Sequence, residues 1–167
     1  MQRLANSSQK KLHYIEKPGR VMNSRFSIAV HILTLLASQP DERLTSEMIA
    51  ASVGTNPVVI RRQLALLRGA GLVESKGARG GGWSLARRPQ VIRLSDLKAA
   101  LGEEASFRMH KNEPHPHCLV GRNVRSVLED VYESVEAAVV ERLARWTVAD
   151  ILAGVSATRP KQSRALR

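Results

Sequence analysis

The sequence predicts a mainly α-helical fold with one small β-hairpin, and three observations lead to this class. Residues 44–70 contain two short amphipathic helical patterns on either side of a tight turn. Residues 72–87 hold two short alternating segments around a glycine-rich tip, and residues 123–146 carry a long apolar stripe. Two helices around a turn, followed by a hairpin, predict a winged helix-turn-helix, with a long dimerisation helix after it.

Composition limits the kind of protein that this chain can be. A chain of 167 residues holds one domain, or one domain with an extension. Aromatic residues make up only 4%, so the expected core is aliphatic. No run approaches the roughly 18 apolar residues of a membrane span, and residues 1–17 lack the apolar centre of a secretory signal. The single cysteine, Cys118, excludes a disulfide within the chain. We therefore expect a cytoplasmic protein that does not contact a membrane.

The net charge of +11 is unevenly distributed along the chain. Residues 1–20 and 159–167 each contribute +4, residues 55–90 contribute +6, and the rest of the chain sums to −3. Because both ends are polar, basic and without apolar periodicity, the extension over residues 1–22 and the tail over residues 154–167 are predicted to be disordered. The folded part then carries its positive charge on the helix-turn-helix. This favours a nucleic-acid partner over a basic face that is merely solvated.

The first two helices are predicted from apolar patterning and local capping signals. Residues 24–38 are apolar on nearly all sides, which is typical of a buried helix. The second helix starts near Thr45, whose hydroxyl is a suitable N-cap, and Gly54 then permits a turn with a positive φ. The apolar face of the second helix consists of Met48, Ile49 and Val53.

The third helix has two start signals in succession. Asn56 is a suitable N-cap, and Pro57 fits the first helical position, where a missing N–H costs nothing. A helix is therefore predicted over residues 57–69. Its apolar stripe is Ile60, Leu64 and Leu67, with Val59 and Leu66 beside it. The residues expected to face outward are Val58, Arg61, Arg62 and Gln63.

A helix in this position reads DNA with its amino-terminal turns. Arg61 or Arg62 can pair with guanine O6 and N7 or hold a phosphate, and Val58 can touch a thymine methyl group. The alternative is that both arginines are ordinary surface residues. The full set of residues expected to contact DNA is Arg25, Thr45, Ser46, Thr55, Asn56, Val58, Val59, Arg61, Arg62, Lys76, Arg79 and Gly80.

The hairpin has a glycine-rich tip at residues 77–82, between strands predicted over residues 72–76 and 83–87. Such a tip, with Lys76 and Arg79 on it, lets backbone amides and cations approach the sugar-phosphate backbone or the minor groove. A glycine-rich loop can also cradle a nucleotide phosphate. This one lacks the Gly-Lys-Ser/Thr ending of a P-loop, and no dinucleotide fingerprint opens a helix here.

Four segments carry a resemblance to a known family: MNSRF at residues 22–26, LTSEMIA at 44–50, LLRGAGLVESKGARGGGWSLAR at 66–87 and CLVG at 118–121. Together they resemble the Rrf-two family of bacterial transcriptional regulators, the family of IscR, NsrR and CymR, over about residues 22–152. The resemblance implies a dimeric winged-helix regulator, commonly a repressor, that binds a palindromic operator. Several relatives sense through an iron–sulfur cluster, which three cysteines hold between the wing and the long helix.

The chain departs from that cluster-binding pattern because Cys118 is its only cysteine. It resembles the cluster-free branch of the family instead, and no cofactor is expected. The wing departs as well. Cluster-binding relatives often carry an Arg-Gly-Pro-Gly turn, whereas residues 77–80, Gly-Ala-Arg-Gly, place the cation two residues later.

A short helix and an irregular loop are predicted between the wing and the long helix. Ser95 is a suitable N-cap for a helix over residues 96–102, and residues 103–122 then form a loop that we expect to receive the effector or sense the signal. Within residues 91–122, the side chains with metal-binding or redox chemistry are His110, His115, His117 and Cys118.

The chemistry of this loop leaves three interpretations open. Imidazole and thiolate suit zinc or copper, although the spacing matches no standard zinc finger. Cys118 can instead act as a redox or electrophile sensor, because the start of a long helix favours a thiolate. In that case His115 and His117 lie beside the sensor. The third interpretation is a surface histidine loop beside a packed cysteine.

The long helix is predicted over residues 123–146, within a dimerisation region that extends to residue 153. Its stripe is Val124, Leu128, Val131, Val135, Val139, Leu143 and Trp146. This apolar surface exceeds what one wing can cover, so pairing with a second copy is expected rather than packing onto the first helix alone. Its net charge of −2 suits a face held away from DNA. Thr147 and Asp150 resemble a capping box for a final short helix.

No catalytic arrangement stands on the predicted rigid elements, so an enzyme is not expected. The sequence predicts a sequence-specific DNA-binding transcriptional regulator that acts as a homodimeric repressor of genes near its own. It is expected at the nucleoid, and the sequence does not identify its effector. One alternative is a protein-interaction module whose winged helix binds a partner enzyme. Another is a thiol-responsive or metal-responsive sensor that uses Cys118. Salt dependence separates the DNA-binding regulator from the protein-interaction module, because DNA binding weakens steeply as the salt concentration rises.

Overall fold

The computed structural model describes residues 24–77, 81–102, 107, 109–115 and 117–158. The predicted extension, most of the predicted tail, and Arg79 and Gly80 at the wing tip lie outside this set. The described elements are α1 (Ser24–Ser38), α2 (Ser46–Val53), α3 (Pro57–Gly69), β1 (Val73–Lys76), β2 (Gly82–Leu85), a 3-10 turn (Pro89–Val91), α4 (Leu94–Leu101), α5 (Leu119–Ala144) and α6 (Val148–Ala157).

Helix α1 lies at the centre of the core. It packs against α2, α3, α4, α6 and β2. Because it contacts five elements, its apolar residues recur on more than one side, as the sequence predicted. Its fully buried apolar residues are Ala29, Ile32, Leu33 and Leu36. The other elements complete an aliphatic core with Leu44, Ile49, Ala50, Ile60, Leu64, Leu67, Leu72, Val73, Ile92, Leu94, Leu97, Leu101 and Val148.

The turn between α2 and α3 forms as the local signals predicted. The Thr45 hydroxyl accepts a hydrogen bond from the Met48 N–H at 3.2 Å, and Gly54 adopts a left-handed conformation with φ 75°. The Asn56 side-chain oxygen accepts from the Val58 N–H at 2.8 Å, and Pro57 is the first residue of α3. These caps satisfy amide groups that a helix leaves unpaired at its start, so they fix where both helices begin.

The burial of one residue on α2 and of one on α3 differs from the prediction. Met48 was expected on the apolar face of α2, but it is half exposed and Ala50 is buried instead. Gln63 was expected outside α3, but it is only 4% exposed. Residue 63 falls three positions after Ile60, and residues at that spacing share a helix face. Helix geometry therefore buries residue 63 although its side chain is polar.

The hairpin is antiparallel and pairs Val73 with Leu85 and Lys76 with Gly82. A third segment joins it at Leu44, which exchanges two backbone hydrogen bonds with Trp83 at 3.1 and 2.9 Å. The chain before α2 approaches Gly82 closely. A Cβ atom on Gly82 would lie 2.9 Å from the Leu44 carbonyl oxygen. The wing is thereby fastened to the start of the helix-turn-helix.

The start of α4 differs from prediction. Its N-cap is Arg93 and not Ser95, and the Asp96 carboxylate accepts a hydrogen bond from the Arg93 N–H at 3.0 Å. The cause is tertiary, because the segment before α4 pairs with the segment after α5. The Leu94 N–H donates to the Trp146 carbonyl, and the Val148 N–H donates to the Ile92 carbonyl, each at 2.9 Å.

The same pairing ends the long helix early. Helix α5 stops at Ala144, so Trp146 leaves the predicted helix and pairs with the chain before α4. At its other end α5 begins at Leu119, four residues before the predicted start, and the Cys118 sulfur accepts from the Gly121 N–H at 3.4 Å. Helix α6 then starts at the predicted capping box. Thr147 and Asp150 exchange hydrogen bonds there, which lower the pKa of the Asp150 carboxyl. It runs to Ala157, beyond the predicted boundary at residue 153.

Helix α5 has 26 residues, none of which is buried. Its principal neighbour is α4, to which the Lys98–Glu136 ion pair (3.2 Å) attaches it with both side chains largely shielded from solvent. Of its apolar residues, Leu143 is the one that packs against the core within the described part of the chain. The helix therefore leaves most of its apolar surface uncovered by its own chain.

Among the described residues, no helix is both long and apolar enough to span a bilayer.

The close approach at Gly82 predicts a stability defect for the Gly82→Ala variant. The added methyl group meets backbone atoms of residues 43 and 44, and overpacking of this kind costs about 1–3 kcal/mol. Gly77→Ala is the matched control, because a Cβ there meets nothing within 4 Å. The free energy of unfolding of both full-length variants, measured in denaturant, checks this. Equal losses in the two variants would contradict the tight junction at Gly82.

Candidate nucleic-acid interface

The exposed side of α3 consists of residues that can contact DNA. Val58 is 50% exposed, and the side chains of Arg61 and Arg62 are exposed as well. On the opposite side Ile60, Leu64 and Leu67 are each 0% exposed. The buried residues fix the rotation of α3 about its axis, so one apolar and two cationic side chains point outward together. Apolar contact with thymine and bidentate bonding to guanine both need such outward side chains.

The turn before α3 adds shorter side chains to this surface. Asn56 is exposed, and its side-chain oxygen is used in capping, which leaves its amide NH2 as a donor. Thr55 and Val59 are half-buried. The exposed Asn56 side chain therefore adjoins the outward face of α3.

The predicted contact residues at the start of α2 are less accessible than Val58, Arg61 and Arg62 on α3. Ser46 is 7% exposed, so its hydroxyl is not part of the surface. Thr45 is half-buried and occupied as the α2 cap. Arg25, near the start of α1, is exposed. The interface therefore centres on α3.

Both carboxylates within residues 44–88 are paired with arginines. Glu47, in the first turn of α2, accepts a hydrogen bond from Arg61 Nη2. Glu74, on β1, accepts from Arg43 Nη2 at 3.0 Å and from the Ser84 hydroxyl at 3.2 Å. Each of the two carboxylates therefore has an arginine beside it, and residues 44–88 still carry more cationic than anionic side chains.

The Glu47 carboxylate is held by more than its arginine. A backbone hydrogen bond is the main cause that lowers the pKa of Glu47, and the Thr45 hydroxyl and the Arg61 guanidinium lower it further. The sequence suggested only that Glu47 favours the start of α2. Its contact with Arg61 spans 14 residues of sequence, so no local pattern could have indicated it.

The described part of the wing carries the predicted cation Lys76, and a cation that sequence reasoning missed, Arg68 on α3, contacts the wing. Lys76 is exposed at the end of β1, opposite Gly82. The guanidinium of Arg68, at the end of α3, lies 5.8 Å from the centre of the Trp83 ring on β2. Cations over an aromatic face are attracted by its quadrupole. This contact joins the carboxyl end of α3 to the wing.

The loop before α5 runs antiparallel to the first turns of that helix. Phe107 stacks on Tyr132 with ring centres 5.3 Å apart, and Arg125 donates to the His110 carbonyl oxygen at 3.4 Å. Farther along, Gly121 faces Pro114 so closely that a Cβ atom on it would lie 2.9 Å away. Phe107, His110 and Pro114 of the loop thus attach it to α5.

The predicted sensor residues lie together at the start of α5. His115 and His117 have ring centres 5.7 Å apart. Cys118 is exposed, so the interpretation that it is a packed cysteine is wrong. Within the described part of the chain, no three His, Cys, Asp or Glu side chains are placed to hold a metal ion.

Comparisons with known proteins agree with this architecture. Residues 22–154 match the model of a family described as "Rrf2: Iron-dependent Transcriptional regulator". The chain is 38% identical over 133 residues to YwnA of Bacillus subtilis (strain 168), which is named as an HTH-type transcriptional regulator. That alignment covers 79% of this chain and 97% of YwnA.

Solved structures with the same fold include two regulators. T. potens IscR is similar with a TM-score of 0.65 and 26% identity, over 86% of this chain and 94% of that chain. CymR, the global cysteine regulator of B. subtilis, is similar with a TM-score of 0.58 over 81% of this chain and 98% of that chain. Its identity is 20%, so it bears on the fold alone. These similarities confirm the winged-helix fold class predicted from the sequence.

The donor residues of this chain do not fit an iron–sulfur cluster of the kind that three cysteines hold. Thiolates are the usual ligands of such clusters, and Cys118 is the single cysteine of the sequence. One subunit therefore cannot supply three thiolates. The iron dependence in the family description does not carry over to this chain through such a site.

Proposed function

The chain belongs to the Rrf2 family of transcriptional regulators, and from this premise we propose that it is a sequence-specific DNA-binding repressor. It acts as a homodimer on a palindromic operator near the genes that it controls, at the chromosome in the cytoplasm. Regulation does not use an iron–sulfur cluster, because the chain lacks the three thiolates. Family membership supports DNA binding and transcriptional control, whereas repression, pairing and operator symmetry are parts of the proposal.

The outward face of α3 is the observation that carries the proposal. Val58, Arg61 and Arg62 stand on a helix whose opposite side is fully buried, at the amino-terminal turns that enter a major groove in this kind of module. Phosphates supply most of the affinity, and the cations of residues 55–90 favour such contacts. Base edges supply specificity, which the arginines of α3 can read.

The uncovered side of α5 supports the dimer. A helix of 26 residues extends about 39 Å and has no buried residue in this chain. Val127 and Val131 are 59% and 49% exposed on one face, and Val120 near the helix start is 69% exposed. An apolar strip of this length is typical of a surface that a second chain covers. We propose that two copies pair through α5.

A second apolar surface lies between α1 and α6. It encloses about 400 Å³ and is lined by Ser27, Val30, His31, Thr34, Leu35, Ser38, Ile151, Leu152 and Val155. Its lining has no Lys, Arg, Asp or Glu side chain. We propose that the partner's α5 also covers this surface, because one apolar helix can then cover both the exposed face of α5 and the surface between α1 and α6. In this arrangement each α5 links its own α4 to the partner's α1 and α6.

The loop of residues 107–118 is the segment through which we propose that a signal acts. Its described contacts are with α5, through Phe107, His110 and Pro114. A ligand or a modification that moves this loop therefore acts first on the dimerisation helix. A change in the angle between paired helices then changes the distance between the two α3 helices, and with it operator affinity.

The interface predicts that arginines on α3 dominate DNA affinity. A duplex that the full chain enriches from a randomised library serves as the ligand, and the Arg61→Ala/Arg62→Ala variant should bind it at least about tenfold more weakly. Arg142→Ala, which removes an exposed arginine from α5, should leave binding within about twofold of wild type. Fluorescence anisotropy at fixed salt measures both. Unchanged binding by the double variant would reject α3 as the recognition helix.

The pairing of α5 helices predicts that a charge on their apolar face dissociates the dimer. Val131→Asp should sediment as a monomer at concentrations where wild type is a dimer, because the carboxylate would be buried without a partner. Ala137→Asp is the control, since residue 137 lies about 120° around the helix from residue 131. Sedimentation velocity compares them. A Val131→Asp variant that remains dimeric would show that α5 does not pair through this face.

A further inference from the structure

Arg61 and Arg62 are adjacent on α3, but their side chains are held differently. Arg61 Nη2 donates to Glu47 Oε1 across the helix-turn-helix, and both side chains are more than half exposed. The Arg62 side chain has no hydrogen bond or ion pair with any described residue. One arginine is therefore oriented before DNA arrives, and its neighbour is not.

Glu47 is itself fixed in place. It lies in the first turn of α2, where a carboxylate is favoured by the helix dipole. Thr45, two residues before it, caps α2 by accepting from the Met48 N–H. Arg61 is consequently attached, through Glu47, to the first turn of α2. The position of the Arg61 guanidinium therefore depends on how α2 and α3 pack against each other.

The ion pair has little to contribute to folding. Exposed pairs of this type stabilise proteins weakly, because water screens them and both side chains must be ordered. A carboxylate on the surface that meets phosphates also repels DNA. Glu47 therefore adds little to folding stability and repels DNA. A role in DNA recognition accounts for its presence at the interface.

Orientation of a guanidinium is what base reading requires. Guanine presents O6 and N7 in the major groove, and a guanidinium binds both with two parallel N–H groups. Arginine has five N–H donors, so the bond to Glu47 leaves enough of them for this pairing. Phosphates, by contrast, accept a cation from many directions and do not need a fixed approach.

We propose that Glu47 is a specificity-determining positioning residue, which holds Arg61 to read one guanine in each half-site while Arg62 contacts the phosphate backbone. This inference rests on the proposed function, because it assigns the roles of two residues within the same DNA interface. Discrimination against other bases at that position then depends on Glu47 although Glu47 does not bind guanine itself.

The wing supplies a matched control for Glu47. Glu74 on β1 also pairs with an arginine, Arg43, and is similarly exposed. It lies outside α2 and α3, so the loss of its charge changes the net charge of the interface region equally without releasing Arg61. Glu47→Gln and Glu74→Gln therefore differ in one relevant respect, which is the orientation of Arg61.

The experiment first selects duplexes with the full-length wild-type chain from a randomised library. Competition binding then measures wild type, Glu47→Gln, Glu74→Gln, Arg61→Ala and Arg62→Ala against every single base-pair change in one half-site. Arg61→Ala should lose about tenfold of discrimination at one guanine, and Glu47→Gln should lose at least about threefold at that same guanine. Glu74→Gln should discriminate as wild type does. Arg62→Ala should weaken all duplexes similarly and lower the salt slope by about one.

Two further comparisons keep the test decisive if Glu47→Gln alters the fold. Thermal melting of each variant detects a loss of stability. In an Arg61→Ala background, Glu47→Gln should remove no further discrimination at the guanine, because the side chain that it positions is already absent. A uniform change of affinity at all positions, or unchanged discrimination in Glu47→Gln, would overturn the inference while leaving DNA recognition by α3 intact. Failure of the wild-type chain to enrich any duplex would overturn the proposed function and the inference with it.

Discussion

The burial of one side of α3 is the constraint on which the proposed recognition surface depends. Ile60, Leu64 and Leu67 are fully buried against the aliphatic core, and each such side chain contributes about 1.5–3 kcal/mol when removed from water. Rotation of α3 about its axis would expose them, so the packing determines which residues point outward. The Asn56 cap and the left-handed turn at Gly54 fix where the helix begins. Together they set both the angle and the axial position of the arginines.

The long helix is joined to the rest of the described chain by a short backbone pairing and a shielded ion pair. Residues 92–94 pair with residues 146–148, which connects the segment before α4 to the segment after α5. Lys98 and Glu136 join the same two helices through their side chains. The long helix is thereby coupled to the winged unit, although it barely contributes to the core. This arrangement fits the proposed dimer, and the proposed signal at the loop on α5 would reach α3 through it.

Features governed by local chemistry could be predicted from the sequence, and features governed by distant contacts could not. The caps at Thr45 and Asn56, the turn at Gly54 and the Thr147–Asp150 capping box depend on residues within four positions of each other. The start of α4 was misassigned because a distant strand-like pairing sets it. Gln63 was misassigned because its polarity was weighed above its position in the helical repeat. The sequence also places the candidate site on α3, which stays a prediction. The Glu47–Arg61 pair could not be predicted, because it depends on how two helices cross.

The central claim is that two copies of this chain present their α3 helices to successive major grooves of one duplex. Hydroxyl-radical footprinting of the full-length chain on its selected duplex tests this most directly. The account predicts two protected segments, related by two-fold symmetry, with centres separated by about 10–10.5 base pairs or a multiple of that spacing. A single protected segment without a symmetric counterpart, or protection that does not depend on sequence, would contradict it.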